Sequence, residues 1–350
     1  MMLATRDSLA PLRAQFTAPA GYLAACTAGL PTAGTRVAMA AEYSRRPDVD
    51  EYCRAVEATR AHFASLVGVA TDRVAIGSQT SVQVSLIAAS LPDGAEVLVP
   101  EHEFSSLVLP FVHAGRGVHV RPVPLADLAA EVTTATSLVA FSLVQSASGA
   151  VADADAICAA AARVGARTLC DATQAVGWMP VTAARFDALV CHAYKWLCAP
   201  RGVAFLTLSE DFARGLRPAH AGWYAGDDPW ASCYGGDAPL AGCARRFDVS
   251  PAWQAFVGAE PALRAFAETD MTAVHAYVTA LAASFRARLA LPAPERASAI
   301  VTWPDAGGTD LARLSAAGIT ASGRNGSARV AFHVFNDLAD VERAAAALGR

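Results

Sequence analysis

Leu189-Val190-Cys191-His192-Ala193-Tyr194-Lys195-Trp196 decides how the chain is read. Residues 187–192 form an apolar, β-type run, so Lys195 stands just past the carboxyl end of a buried strand. Open α/β sheets hold their ligands at that edge. The 350-residue chain has 81 alanines, 27 arginines and this one lysine. Such a composition writes arginine wherever a surface cation serves. Arginine cannot stand in where an amine must lose its proton, because a guanidinium stays charged. Schiff-base formation is the commonest such task. The alternative is a single stray lysine, and composition does not choose between the two.

Upstream, Thr168-Leu169-Cys170-Asp171-Ala172-Thr173-Gln174 ends a second apolar strand on Asp171, whose carboxylate points to the same edge. A carboxylate there needs a partner. A pyridinium nitrogen is one, since the ion pair keeps the ring protonated and makes it an electron sink; capping the following turn is the other use. Further upstream, Ala75-Ile76-Gly77-Ser78-Gln79-Thr80-Ser81-Val82-Gln83 places a glycine and small hydroxyl residues before a helix start. That is a fair anion cradle, although Ser and Thr also cap helices without any ligand. Cradle, carboxylate and amine follow in the order expected for a pyridoxal-phosphate site.

Around these motifs, strand-like runs at 96–100, 118–123, 137–144, 167–171, 187–192 and 202–208 alternate with helical patterns at 52–66, 80–90 and 154–164. Gly165 stops the last of these helices. The alternation predicts an α/β domain with a mainly parallel sheet. Residues 217–242 are rich in Gly, Pro, Trp and Tyr without periodicity and read as a long ordered loop. One long helix is expected over 253–289, then strand 297–303, helix 310–317, strand 328–333 and helix 338–348. Asn336 and Asp337 are its capping candidates. This tail reads as a smaller α+β domain.

Composition excludes several classes. At 54% hydrophobic and 17% charged, the chain buries a large core. A net charge of -4 gives no nucleic-acid or anionic-membrane surface. The start, Met1 to Asp7, has no apolar signal core, and the uncharged run 132–152 carries too many Ser, Thr, Gln and Gly to span a membrane. Eight cysteines sit singly with no CxxC pair, which fits free thiols in a reducing cytoplasm. No GxGxxG follows the first strand, against a dinucleotide-binding reading.

The pieces Cys170-Asp171-Ala172-Thr173-Gln174-Ala175-Val176-Gly177 and Tyr194-Lys195-Trp196-Leu197-Cys198-Ala199-Pro200-Arg201-Gly202 resemble the class V aminotransferase family. This group of pyridoxal 5'-phosphate (PLP) enzymes includes cysteine desulfurases, kynureninases and isopenicillin-N-epimerase-like proteins. The resemblance runs from Gly21-Tyr22-Leu23 to Arg329-Val330-Ala331-Phe332-His333-Val334-Phe335-Asn336 and implies the PLP-dependent transferase fold type I. That fold has a large α/β domain with a mainly parallel sheet of the seven-stranded type, here 15–250. A smaller C-terminal α+β domain follows, here 251–350, packed with segment 1–14.

The resemblance also implies roles. Lys195 would carry the cofactor as a Schiff base and shuttle the α-proton. Asp171 would pair with the pyridinium nitrogen, and Gln174 would bond the ring 3-oxygen. Phe104, in Glu101-His102-Glu103-Phe104, would stack on the ring as in kynureninases; a core Phe is the bland alternative. Ser78, Gln79, His192 and Tyr194 would hold the phosphate, with Ser250, in Arg246-Phe247-Asp248-Val249-Ser250, reaching it from a neighbouring subunit. Arg329 would clamp the substrate α-carboxylate. A homodimer acting on a small amino acid or amine follows, with no metal, nucleic acid or membrane. The chain departs from desulfurases: Ile319-Thr320-Ala321-Ser322-Gly323-Arg324-Asn325-Gly326 has no cysteine before Arg329. Transamination is the first expectation, with C–S or other β-elimination, epimerisation or a non-catalytic descendant as alternatives. The loop Ala221-Gly222-Trp223-Tyr224-Ala225-Gly226-Asp227-Asp228-Pro229-Trp230 is expected to shape the substrate pocket, its two acids suiting an apolar or cationic tail.

Overall fold

The computed structural model describes residues 8–350; the expectation for 1–7 lies outside them. The described elements are α1 (Ala10–Arg13), α2 (Ala33–Tyr43), α3 (Val49–Val67), β1 (Val74–Gly77), α4 (Thr80–Ala88), β2 (Glu96–Pro100), α5 (Ser105–Val112), β3 (His119–Val123), β4 (Thr136–Ser142), α6 (Ala154–Val164), β5 (Arg167–Asp171), β6 (Ala188–His192), β7 (Ala204–Leu208), α7 (Glu210–Gly215), α8 (Trp253–Ala267), α9 (Met271–Arg288), β8 (Ile300–Pro304), α10 (Thr309–Ala316), β9 (Ser322–Arg324), β10 (Ser327–Ala331) and α11 (Leu338–Ala347).

Seven strands make one sheet in the order β1-β7-β6-β5-β4-β2-β3. Strands β3, β2, β4, β5 and β6 pair in parallel, while β7 runs against both its neighbours. Every residue of β1, β5 from Thr168, β6 and β7 is buried, which is why these strands read as unbroken apolar runs rather than alternating ones. The connecting helices are punctuated locally. Asp48 caps α3 by accepting from the Glu51 amide at 3.0 Å, and Gly68 closes it in the left-handed region at φ 68°. Asp153 and Gly165 do the same for α6.

Two expectations needed correction. The pattern over 253–289 is two helices, because Asp270 caps α9 by accepting from the Thr272 amide at 2.8 Å and so starts a new helix. Sequence reading also passed over α1, α2, α5, α7, β9 and the four-residue β1. Helix α8 packs on α3 and α2, and Phe256 meets Phe205 of β7 edge-on. The second sheet, β8-β10-β9, is antiparallel. The N-terminal segment joins it through bridges from Tyr22 to Thr320 and from Ala24 to Ala331. Asp337 caps α11 in a reciprocal capping box with Asp340. Asn336 is instead buried, donating to the Tyr22 carbonyl and to Asp340.

Candidate active site

Register brings the motifs level. Gly77 pairs with Ala204 and Ala204 with His192, so the cradle, β7 and β6 meet in one row. Ser142 pairs with Asp171 in the next two strands. The cavity at this edge is lined by Gln79, Thr80, Ser81, Phe104, Ser106, Ser142, Ser146, Asp171, Thr173, Gln174, His192, Tyr194, Lys195 and Arg201. Of the residues singled out by sequence, Gln79, Phe104, Asp171, Gln174, His192, Tyr194 and Lys195 therefore converge.

Lys195 is held by its backbone. A Cβ on Gly29 would lie 2.0 Å from the Lys195 carbonyl oxygen, and one on Gly177 would lie 2.7 Å from Trp196 carbonyl atoms. Both sites admit only a residue without a side chain, so the turn carrying the lysine is wedged between two distant segments. The Gly29 amide donates to the Tyr194 carbonyl at 2.8 Å. His333, from the C-terminal part, lies 3.0 Å from the Trp196 carbonyl through Nε2. The Lys195 amine lies 5.2 Å from the Phe104 ring centroid and 5.6 Å from that of Tyr194. Burial brings its pKa down to about 8, with Asp171 and Cys26 opposing and Arg329 and Arg324 adding their repulsion. About a tenth is then the neutral, nucleophilic amine at pH 7, against well under a hundredth for an ordinary lysine.

The Asp171 carboxylate is buried and accepts from the Thr173 amide at 2.8 Å. Burial raises its pKa, with Thr173 and Lys195 opposing. No cation lies within ion-pair distance of it among the described residues. Gln174 donates to the Cys26 carbonyl at 2.9 Å and to Ser146 Oγ at 3.0 Å, and accepts from the Trp196 indole at 2.8 Å. Its orientation is therefore fixed. His192 bonds through its amide to Thr173 Oγ1 at 3.0 Å, while its ring Nε2 is buried with no partner. Burial, then Arg201 and Lys195, hold this imidazole at about 4. It is neutral at physiological pH and has one ring nitrogen free to serve an anion. Beside it, Gln79 begins α4 without any side-chain cap, which leaves amides at that helix start without a side-chain acceptor.

Some predicted residues stand elsewhere. Ser78 is half-buried outside the lining; Ser250, expected to reach a neighbouring subunit, is exposed and does not line this chain's own cavity. Ser250 follows Asp248, whose buried carboxylate receives Arg60 at 2.7 and 3.1 Å and the Ile76 amide at 2.7 Å. That clamp fixes the segment under the edge of β1. Arg329 does not line the cavity but reaches its wall. Fully buried, it donates to Ser146 Oγ at 3.1 Å, Thr27 Oγ1 at 3.0 Å and Ser322 Oγ at 3.1 Å, and to the Ser146 carbonyl. All four acceptors are neutral, so a buried guanidinium has no counter-charge among the described residues. The loop 221–230 contributes nothing to the lining, against expectation. Trp223 packs on Trp230 at 5.0 Å and edge-on to Trp253, and Asp228 accepts from the amides of its own turn at Trp230 and Ala231.

Sequence reading missed Glu103 and Arg201. Glu103 is half-buried and accepts from the Ser142 amide at 2.9 Å, the Ser142 hydroxyl at 2.7 Å and the Phe104 amide at 2.7 Å, which seats Phe104 at the cavity. Arg201 lies 4.3 Å from the Tyr194 ring centroid. The Pro200-Arg201-Gly202 turn signal after the lysine was visible in sequence, but not its direction.

The sequence model of the aminotransferase class-V family matches residues 46–299. The chain belongs to this family. An isopenicillin N epimerase of Amycolatopsis lactamdurans is 33% identical over 187 residues, 47% of this chain and 46% of that one. An uncharacterized aminotransferase of Bacillus subtilis, YcbU, is 29% identical over 218 residues, 59% and 57% of the two chains. A probable cysteine desulfurase of Aeropyrum pernix is 32% identical over 189 residues, 49% and 46%. The matched part thus spans about half the length of these curated relatives. In overall fold the chain is similar to the Escherichia coli cysteine desulfurase CsdA, with a TM-score of 0.84 at 19% identity over 97% of both chains. It is equally similar to the cystine C-S lyase C-DES, with a TM-score of 0.84 at 19% identity over 95% of this chain and 97% of that one. The fold is therefore fold type I of the aminotransferase class-V family.

Acid lability follows from the buried imidazoles. Burial holds His333 at about 4, against about 6.5 in an unfolded chain. Below pH 6.5 the unfolded state takes up a proton that the folded state refuses, so stability falls as pH drops from 6.5 to 4 and is then level. The expected loss from His333 is on the order of 3 kcal/mol. Urea titrations of apoprotein should show it, and His333→Gln, which keeps a donor for the Trp196 carbonyl, should flatten the profile. An unchanged slope in that variant would assign the lability to other groups.

Proposed function

We propose that this chain is a PLP-dependent enzyme acting on an amino acid, with transamination the first reading and β-elimination or epimerisation of the same substrate class the second. The observation that carries it is the pairing of one buried, partly neutral amine, Lys195, with one buried carboxylate that has no cation beside it, Asp171. The unpartnered Nε2 of His192, beside a helix start without a side-chain cap, supports a phosphate at the other end of the slot.

PLP, when bound, supplies an aldehyde for an amine and a ring that withdraws electrons from the substrate's α-carbon. The chain's residues do the rest. Lys195 would hold the cofactor, and its Nζ, where free, would take and return the proton at the substrate's α-carbon. Asp171 would hold a proton on the ring nitrogen, Gln174 would donate toward the ring oxygen by giving up its bond to Ser146 Oγ, and Phe104 and Tyr194 would bound the slot. His192, Tyr194 and the amides of Thr80 and Ser81 hold phosphate, with Gln79, Ser78 and a partner's Ser250 as further candidates. Arg329 takes the α-carboxylate, which would give that buried guanidinium its missing counter-charge.

A homodimer in the cytoplasm is part of the proposal. All eight cysteines are unpaired, which supports a reducing compartment. No helix among the described residues is long and apolar enough to cross a membrane. The division into 15–250 and 251–350 with 1–14 is also proposed. Arg13, donating to the Val334 carbonyl at 3.0 Å, supports the attachment of the N-terminal segment to the second part. The packing of α8 on α2 and α3 draws that helix toward the first.

The test is borohydride reduction of the native protein supplied with PLP. One pyridoxyl group should appear, on the peptide containing Lys195; mass spectrometry finding no adduct there would sink the reading.

A further inference from the structure

We propose that the substrate's side chain carries a second anionic group and that Arg324 receives it, so that the enzyme selects acidic amino acids over their amides. This deepens the proposed function and rests on it for the place of the α-carboxylate at Arg329.

In the β9–β10 hairpin, Ser322 pairs with Arg329 and Arg324 with Ser327. Side chains alternate along a strand and paired residues share a face, so Ser322, Arg324, Ser327 and Arg329 all leave one face of the hairpin. The bond of 3.1 Å from Arg329 Nε to Ser322 Oγ, and those of Arg329 to Ser146, identify that face as the one turned to the cavity wall. Arg324 is then the diagonal neighbour of Arg329, at a spacing of about 7–8 Å between backbones. It is exposed, and among the described residues its guanidinium bonds only its neighbour's carbonyl, at 2.6 Å from Gly323.

The charges around the site do not balance. Lys195, Arg201, Arg324 and Arg329 have no carboxylate within ion-pair distance among the described residues. Glu103 already spends its carboxylate on Ser142 and the Phe104 amide. A phosphate beside His192 and Tyr194 answers Arg201, which sits over Tyr194. Asp171 answers a ring nitrogen, and an α-carboxylate answers Arg329. Arg324 is left, on the same face as Arg329 and close enough to be felt by both Arg329 and Lys195. Two guanidinium groups side by side repel each other unless two anions come with the ligand. A dicarboxylic amino acid brings both, on one rigidly short spacer.

The experiment titrates holoenzyme with L-glutamate, L-aspartate, L-glutamine and L-asparagine, following the cofactor absorbance. Calorimetry with glutarate and butyrate, which cannot react, runs in parallel. Each acid is expected to bind about tenfold or more tightly than its amide, and glutarate more tightly than butyrate, with the gap narrowing as salt rises. In Arg324→Gln the acid-to-amide ratio should fall to near one, and Arg324→Lys should restore part of it. A ratio near one in the wild type, or one that survives in Arg324→Gln, overturns the proposal. If no amino acid perturbs the cofactor and no adduct forms at Lys195, the functional reading fails instead. The glutarate-to-butyrate ratio in the wild type and Arg324→Gln then still decides the role of the hairpin.

Discussion

Lys195→Ala, purified with PLP supplied, is expected to lose turnover by at least about 10⁴-fold, because the variant lacks both the amine that holds the cofactor and the base at the α-carbon. The same substitution should stabilise the apoprotein. The amine is buried and its pKa is lowered to about 8, from 10.5 in its ordinary state. Below pH 8 both folded and unfolded states are protonated, and folding carries the full cost of burying the charge. Between pH 8 and 10.5 the folded amine is already neutral while the unfolded one is not, so the cost shrinks with rising pH. The gain in Lys195→Ala is therefore expected to be on the order of 3 kcal/mol at pH 7, less the packing lost, and to vanish toward pH 11. Denaturant titrations at pH 7 and 10.5 measure it. A variant that keeps turnover, or one less stable than wild type at pH 7 by the same margin as at pH 10.5, would remove Lys195 from its assigned place.

Asp171→Asn is expected to keep the fold and much of the cofactor yet lose about 10²–10³-fold in kcat, or about 3–4 kcal/mol of transition-state stabilisation. Asparagine preserves the shape and can still accept from the Thr173 amide, which Asp171 does at 2.8 Å. It cannot hold a proton on a ring nitrogen by ion pairing. The Asp171 carboxylate is buried, so solvent replaces the lost charge poorly. Near-wild-type kcat would show that the electron sink relies on another group, with the half-buried Glu103, whose carboxyl feels Asp171, the first to test.

How much of this was legible in the sequence depended on distance along the chain. Lys195, His192, Tyr194 and Asp171 lie at or just past strands whose burial on both faces writes itself as an apolar run, so their position at one edge could be read directly. Phe104 and Gln174 were named only through the family resemblance. Glu103 was missed, because its meaning is a bond to Ser142, 39 residues away, made only when two parallel strands find their register. The break in 253–289 was missed because both helices bury apolar faces in similar spacing. A single capping aspartate, Asp270, ends the pattern without disturbing it. The substrate loop was misread for a related reason. Its aromatics and acids are the composition of a pocket, yet they are engaged in packing on Trp253 and in capping their own turn.

The sequence by itself determined the α/β alternation, the single amine at a strand end, the carboxylate that precedes it and the missing thiol before Arg329. These are local facts, carried by periodicity and residue chemistry. Tertiary structure decided the rest. It brought Gly29 and Gly177 against the lysine turn and left Arg329 buried without a counter-charge among the described residues. The physical reason is that burial is encoded along each segment, whereas partnership is set by strand register and by close approach of segments far apart in the chain.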